Sequence, residues 1–191
     1  MTVYSAQLLS NLVNEQTLIE QLRDERSRNF AFRQLMQQEQ EKVYRLVRRM
    51  VIDHDDANDL VQIVFIKVFQ NISEFEGKSK LSTWIYRIAI NETLAFLRHK
   101  RRTMFVPIVN VERQLSNMID GGSNFGGDEI EKKLQKAILT LPEKQRLVFN
   151  MRYYENIKYE EMSDILGTSV GALKASYHIA EEKIEKILQS D

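Results

Sequence analysis

The chain has 191 residues, no cysteine, 43% apolar and 28% charged side chains, a globular mix that leaves no disulfide framework and no thiolate metal site. No apolar run approaches the ~20 residues that cross a bilayer, and Met1 to Asn14 lacks the basic-then-apolar pattern of a secretion signal; no membrane insertion and a cytoplasmic location are expected. The 27 basic and 27 acidic side chains cancel, whereas a protein that holds nucleic acid unaided carries a basic excess, so any such binding is local or shared with a partner.

The first amphipathic stripe is Val43, Leu46, Val47, Met50 and Val51, at i, i+3, i+4, i+7 and i+8. Ala57, Leu60, Val61, Val64 and Val68 define a second helix. At about 100° per residue, Asp56, Asp59, Gln62, Ile63 and Ile66 face away from that stripe. Acids near a helix start suit its dipole. Two outward isoleucines need another reason: either another element of the domain covers them, or the face meets the basic helix of a protein partner.

A loop from Phe75 to Leu81 follows, carrying Gly77, Lys78, Ser79 and Lys80. Loops of this kind are common on surfaces, and they also capture bases rotated out of a duplex. The third helix starts near Ser82 or Thr83, either of which can cap it, and runs to about Arg102. It is apolar around much of its circumference, which predicts a central position. One polar seam runs along it, Arg87, Asn91 and Arg98 with Trp84 and Arg102 beside them, and its end, Arg98 to Arg102, includes Lys100 and Arg101. A cationic last turn suits the helix dipole. The dipole does not require the seam, and aromatic planes interleaved with cations hold unstacked bases and their phosphates.

Four of the seven glycines, Gly121, Gly122, Gly126 and Gly127, mark a flexible linker, and Pro107 helps stop the helix before it. The expected division is an extension 1–18, a domain 19–103, a linker 104–128 and a domain 129–191. In the second domain Ile130, Leu134 and Ile138 line a short helix. Pro142 opens the next, with Leu147, Val148 and Met151 at helical spacing. Tyr159, Met162 and Leu166 form another stripe, supported by Ile165. Gly167 ends that helix, Thr168 or Ser169 caps the following one, and Val170, Leu173, Tyr177, Ala180 and Ile184 are its inner face. Two short helices on a glycine turn predict a helix-turn-helix, with an ordinary helical hairpin as the alternative. The outward face of its second helix is small at first (Ser169, Gly171, Ala172, Ala175), with Lys174 and His178 as its basic groups. Small side chains let a helix N-terminus approach phosphate closely. No segment alternates with period two. The expected fold is all-α: two small helical domains joined by a flexible linker.

Three motifs together resemble one family. Asp56-Ala-Asn-Asp-Leu-Val-Gln-Ile-Val-Phe-Ile-Lys67 is similar to the polymerase-binding helix of sigma factors. Leu81 to Asn91 and Phe96 to Arg102 resemble the next helix of that domain. Leu141 to Phe149 and Leu166 to Lys174 resemble the C-terminal sigma domain. The resemblance is to the extracytoplasmic-function sigma factors of bacterial RNA polymerase, and covers about Ile19 to Leu188. It implies core RNA polymerase and promoter DNA as partners, with an inhibitory anti-sigma factor as the family's usual control. Asp56, Asp59, Gln62, Ile63 and Ile66 would then meet polymerase. Lys78, Ser79, Lys80, Trp84, Arg87, Asn91, Arg98, Lys100, Arg101 and Arg102 would hold the opened minus-ten element. Ser169, Gly171, Ala172, Lys174, Ala175 and His178 would face the minus-thirty-five element.

Ile63 departs from the acid common in the family. Ala175-Ser-Tyr177 lacks the arginine often found along the recognition helix. Lys158 stands where a Ser or Thr cap is usual. No cofactor, metal, small-molecule substrate or enzymatic activity is expected. Two rival readings remain: an adaptor that keeps the fold without starting transcription, and an enzyme using Asp53-His54-Asp55-Asp56 with Asp59 as a metal cluster.

Overall fold

The stripe from Val43 to Val51 is the end of a longer helix. The computed structural model describes residues 15–103 and 129–190, and the predicted glycine linker and Pro107 lie outside them. Among the described residues every regular element is helical. Helix α1 (residues 15–23) turns through residues 24–27 into α2 (Arg28–Val51). The Ser27 hydroxyl fixes that turn by donating to the Gln21 carbonyl at 2.9 Å. Next come α3 (His54–Asn71), a 3-10 turn (Ile72–Glu74) and α4 (Leu81–Thr103). Helices α2, α3 and α4 pack mutually. Leu18 and Leu22 of α1 join Leu35, Leu46, Met50, Val64 and Ile85 in one core.

Only Ile52 and Asp53 separate α2 from α3. Ile52 sits at φ 65°, a conformation costly for a β-branched residue, and its buried side chain holds it there. Asp53 caps α3, its carboxylate accepting the Asp56 N–H at 2.9 Å. Asp53→Ala is expected to cost about 1 kcal/mol, read as a lower denaturant midpoint at unchanged slope.

The start of α4 differs from expectation. It begins at Leu81, the Trp84 N–H donating to the Lys80 carbonyl at 3.1 Å, while Thr83 is buried. Neither Ser82 nor Thr83 caps it. The Leu81 N–H instead donates to Glu15 Oε1 of α1 at 2.6 Å, a tertiary cap that no local pattern reveals.

The C-terminal half holds α5 (Glu129–Leu139), α6 (Glu143–Tyr153), α7 (Tyr159–Leu166) and α8 (Val170–Ser190). Pro142 is the N-cap of α6, and Lys158 that of α7, without a side-chain bond. Ile130 does not join the stripe of α5. It is 73% exposed in the first turn, and the helix meets the core only farther on, where Ala137, Ile138 and Leu139 are buried. Gly167 takes the left-handed conformation, φ 62°, that ends α7. Ser169 caps α8, its hydroxyl accepting the Ala172 N–H at 3.3 Å.

This half has a small core of its own, Ala137, Ile138, Leu141, Phe149, Ala180 and Ile184. Other buried apolar residues of this half, Leu147, Val148, Met151, Met162 and Leu173 among them, belong to one cluster with the N-terminal half. Helix α6 packs on α2, and α7 on α4. The two halves therefore share apolar burial.

Candidate nucleic-acid and protein interfaces

Helix α3 turns Ala57, Val61, Val64 and Val68 inward. That leaves Asp59 and Gln62 exposed beside Ile63 (41% exposed) and Ile66 (55% exposed). The reading in which another element covers these isoleucines is excluded among the described residues. Asp56 is half-buried, its carboxylate taking the Lys100 ammonium at 2.5 Å. One residue assigned to polymerase and one assigned to DNA thus pair with each other. The acidic start of α3 caps its own helix. Asp53 holds the Asp56 N–H, and the His54 ring lies between the Tyr44 hydroxyl (2.7 Å) and the Asn58 amide (3.0 Å). Among the described residues no three His, Asp or Glu side chains are placed to hold a metal.

The loop 75–80 is anchored at its base. Phe75 is buried, its carbonyl accepts from the Arg23 guanidinium, and its ring meets Trp84 with centroids 5.5 Å apart. Gly77 turns the loop at φ 74°. Lys78 pairs with Glu76, and the Ser79 hydroxyl points to the Lys80 carbonyl at 3.4 Å. Along α4, Trp84 is half-buried, while Arg87, Asn91, Arg98 and Arg102 are exposed on one side.

Three of these cationic groups are held by the C-terminal half. Lys80 pairs with Glu161, Arg101 pairs with Glu143, and Arg87 donates to the Asp164 carbonyl at 2.5 Å. Beside them Arg49 meets Glu155 at 2.9 Å and lies 3.9 Å from the Tyr154 ring centroid, with Arg45 3.7 Å from the same carboxylate. Burial pushes the Tyr154 hydroxyl up to about 12, against the lowering effect of Arg49.

On α8, Ser169, Gly171, Ala172, Lys174, Ala175 and His178 are all exposed, and His178 faces Glu182 at 3.3 Å. Lys174 lies 5.7 Å from the Tyr159 ring centroid, and Arg152 of α6 lies 5.3 Å from the same ring. Arg152 is a cation that the reading of α8 alone misses. It lies outside the helix-turn-helix segment, and only folding brings it to Tyr159.

Residues 35–103 match the family described as sigma-70 region 2, and residues 131–184 match the one described as sigma-70, region 4. These define the class: two sigma regions in sequence, each helical. The ECF RNA polymerase sigma factor SigW of Bacillus subtilis is 30% identical over 167 residues, covering 83% of this chain and 89% of that protein. The RNA polymerase sigma-H factor of Pseudomonas aeruginosa is 30% identical over 185 residues, covering 92% and 94%. The chain belongs to the ECF sigma factors of RNA polymerase. Among solved structures, the fold is shared with the sigma factor RpoE of Bartonella quintana, solved with the anti-sigma factor NepR (TM-score 0.65, 22% identity, covering 84% of this chain and 98% of that one). It is shared also with CnrH, solved with the cytosolic domain of CnrY (TM-score 0.68, 19% identity, covering 93% and 98%).

Proposed function

We propose that this sigma factor uses α3 to bind core RNA polymerase, α4 and the loop before it to hold opened minus-ten DNA, and α8 to read the minus-thirty-five element. The observation that carries the reading is the mixed face of α3. Ile63 and Ile66 stand exposed beside Asp59 and Gln62 on a helix whose other side is fully packed. Such a face suits a basic, partly apolar helix of a partner. The division of labour follows domains 19–103 and 129–191, with 104–128 as linker; residues 15–18, although read from the sequence as extension, begin α1 and belong with the first domain, Leu18 in its core and Glu15 capping α4. Polymerase supplies most of the non-specific grip, which fits a chain of zero net charge, and the sigma factor supplies specificity. The protein is regulatory rather than enzymatic and acts in the cytoplasm. No helix among the described residues is long and apolar enough to cross a membrane. An anti-sigma partner is proposed from the neighbouring fold that was solved with the anti-sigma factor NepR.

Polymerase-dependent strand opening tests this directly. With core polymerase and a promoter, unpaired thymines become reactive to permanganate near the start site, and Trp84→Ala reduces that signal. Reactivity that does not depend on the protein contradicts the proposal. On α8, Lys174→Ala is expected to weaken promoter binding and to lower the slope of log affinity against log salt by about one unit. An unchanged slope shows that Lys174 meets no phosphate.

A further inference from the structure

We infer that the cavity between α1, α2 and the start of α4 is a second base subsite. It takes one unpaired base of the opened strand, separate from the base assigned to the loop before α4. The inference rests on the strand-holding role proposed above for that loop and α4. The cavity measures about 880 Å³, the size of a small-molecule site and room enough for a nucleoside. Its place follows from the fold. Leu81 and Ser82 line it, directly after the loop that carries Lys78 and Lys80. Gln21 and Leu18 of α1 line it too, so it is complete only because Leu18 and Leu22 dock α1 in the core.

The lining has the chemistry of a base site rather than of a phosphate or ion site. Leu18, Leu35 and Leu81 are buried and give it an apolar surface. Phe30 lines it while 56% exposed, a ring on which a base can stack. Gln21, Gln34, Gln37 and Gln38 add four side-chain amides, which bond to no other described residue. Each amide offers a donor and an acceptor, the two kinds of group that a base edge presents. The charged groups are already engaged: Glu15 Oε1 accepts the Leu81 N–H at 2.6 Å, and Glu39 Oε1 takes the Lys42 ammonium at 2.8 Å. The second oxygen of Glu39 is buried without a hydrogen-bond partner, and such a carboxylate repels phosphate. Phosphates of the strand therefore stay at the lysines of the loop, and the base enters the cavity.

The test uses the full chain with core polymerase, on a mapped promoter carrying a pre-opened bubble. Abasic sites are placed one at a time along the nontemplate strand of the bubble. Affinity is measured for the wild type and for Phe30→Ala/Gln38→Ala. Both side chains are exposed, so the fold is kept, and circular dichroism checks it. In the wild type, one abasic position assigned to the cavity is expected to cost about tenfold in affinity, the scale of a lost base stack. In the variant that position is expected to cost nothing further, while penalties at the other positions persist. Gln38→Glu keeps the size and loses the amide donor, and is expected to change which base is preferred there. Abasic penalties in the double variant that match the wild type at every position overturn the inference, even if overall affinity falls. Failure of the wild-type holoenzyme to bind the bubble at all overturns the sigma reading itself, so the two failures are told apart.

Discussion

Replacing Ile63 and Ile66 together by alanine is expected to weaken binding to core RNA polymerase by about a hundredfold. Both side chains are exposed at 41% and 55%, on a helix whose buried face does not involve them. A partner that covers each gains about 1–2 kcal/mol from the apolar surface removed from water. At about 1.4 kcal/mol per tenfold, the pair accounts for roughly two decades of affinity. Alanine suits a helix, so the free protein is expected to keep its stability within about 0.5 kcal/mol. Adding Asp59→Ala is expected to act mainly on association rate and salt dependence, as a charge at the rim of an interface does. Titration of labelled protein with core polymerase measures the loss. Wild-type affinity in the double variant removes α3 from the interface.

Leu22→Ala is expected to cost about 2–5 kcal/mol, the range for emptying a fully buried leucine site. The region 2 match begins at residue 35, so α1 lies outside it. Yet Leu22 is fully buried in the main core, Glu15 caps α4, and Arg23 holds the carbonyl of Phe75 at the base of the loop. Loss of Leu22 therefore loosens the loop 75–80 as well as the core. Thermal unfolding reads the first effect, and single-stranded DNA binding reads the second. A stability change below about 1 kcal/mol is inconsistent with a docked α1.

Helices with one clean apolar stripe were legible in the sequence. α3, α7 and α8 each present such a stripe, and the outward sets on α3 and α8 follow from it by geometry. The start of α2 was not legible, because Gln37, Gln38, Glu39 and Gln40 break its apolar period and Glu39 is nevertheless buried. In α1, Leu18 and Leu22 are too few to establish a period. The cap of α4 comes from Glu15, 66 residues away from Leu81, so local propensity pointed to Ser82 and Thr83 instead. The pairing of the halves has the same character: Arg49 and Glu155 are 106 residues apart, and Lys80 and Glu161 are 81 apart. Charge patterns along the chain do not encode such contacts. The sequence therefore showed where cations lie, and the structure showed which of them were already engaged.

The most direct measurement is transcription reconstituted from the purified protein and core RNA polymerase, with start sites mapped across genomic DNA of the source organism. Discrete new starts, each preceded by the same two spaced sequence elements, are the expected result. Formation of a complex with polymerase without any new start site would contradict the central claim and leave an adaptor built on the sigma fold.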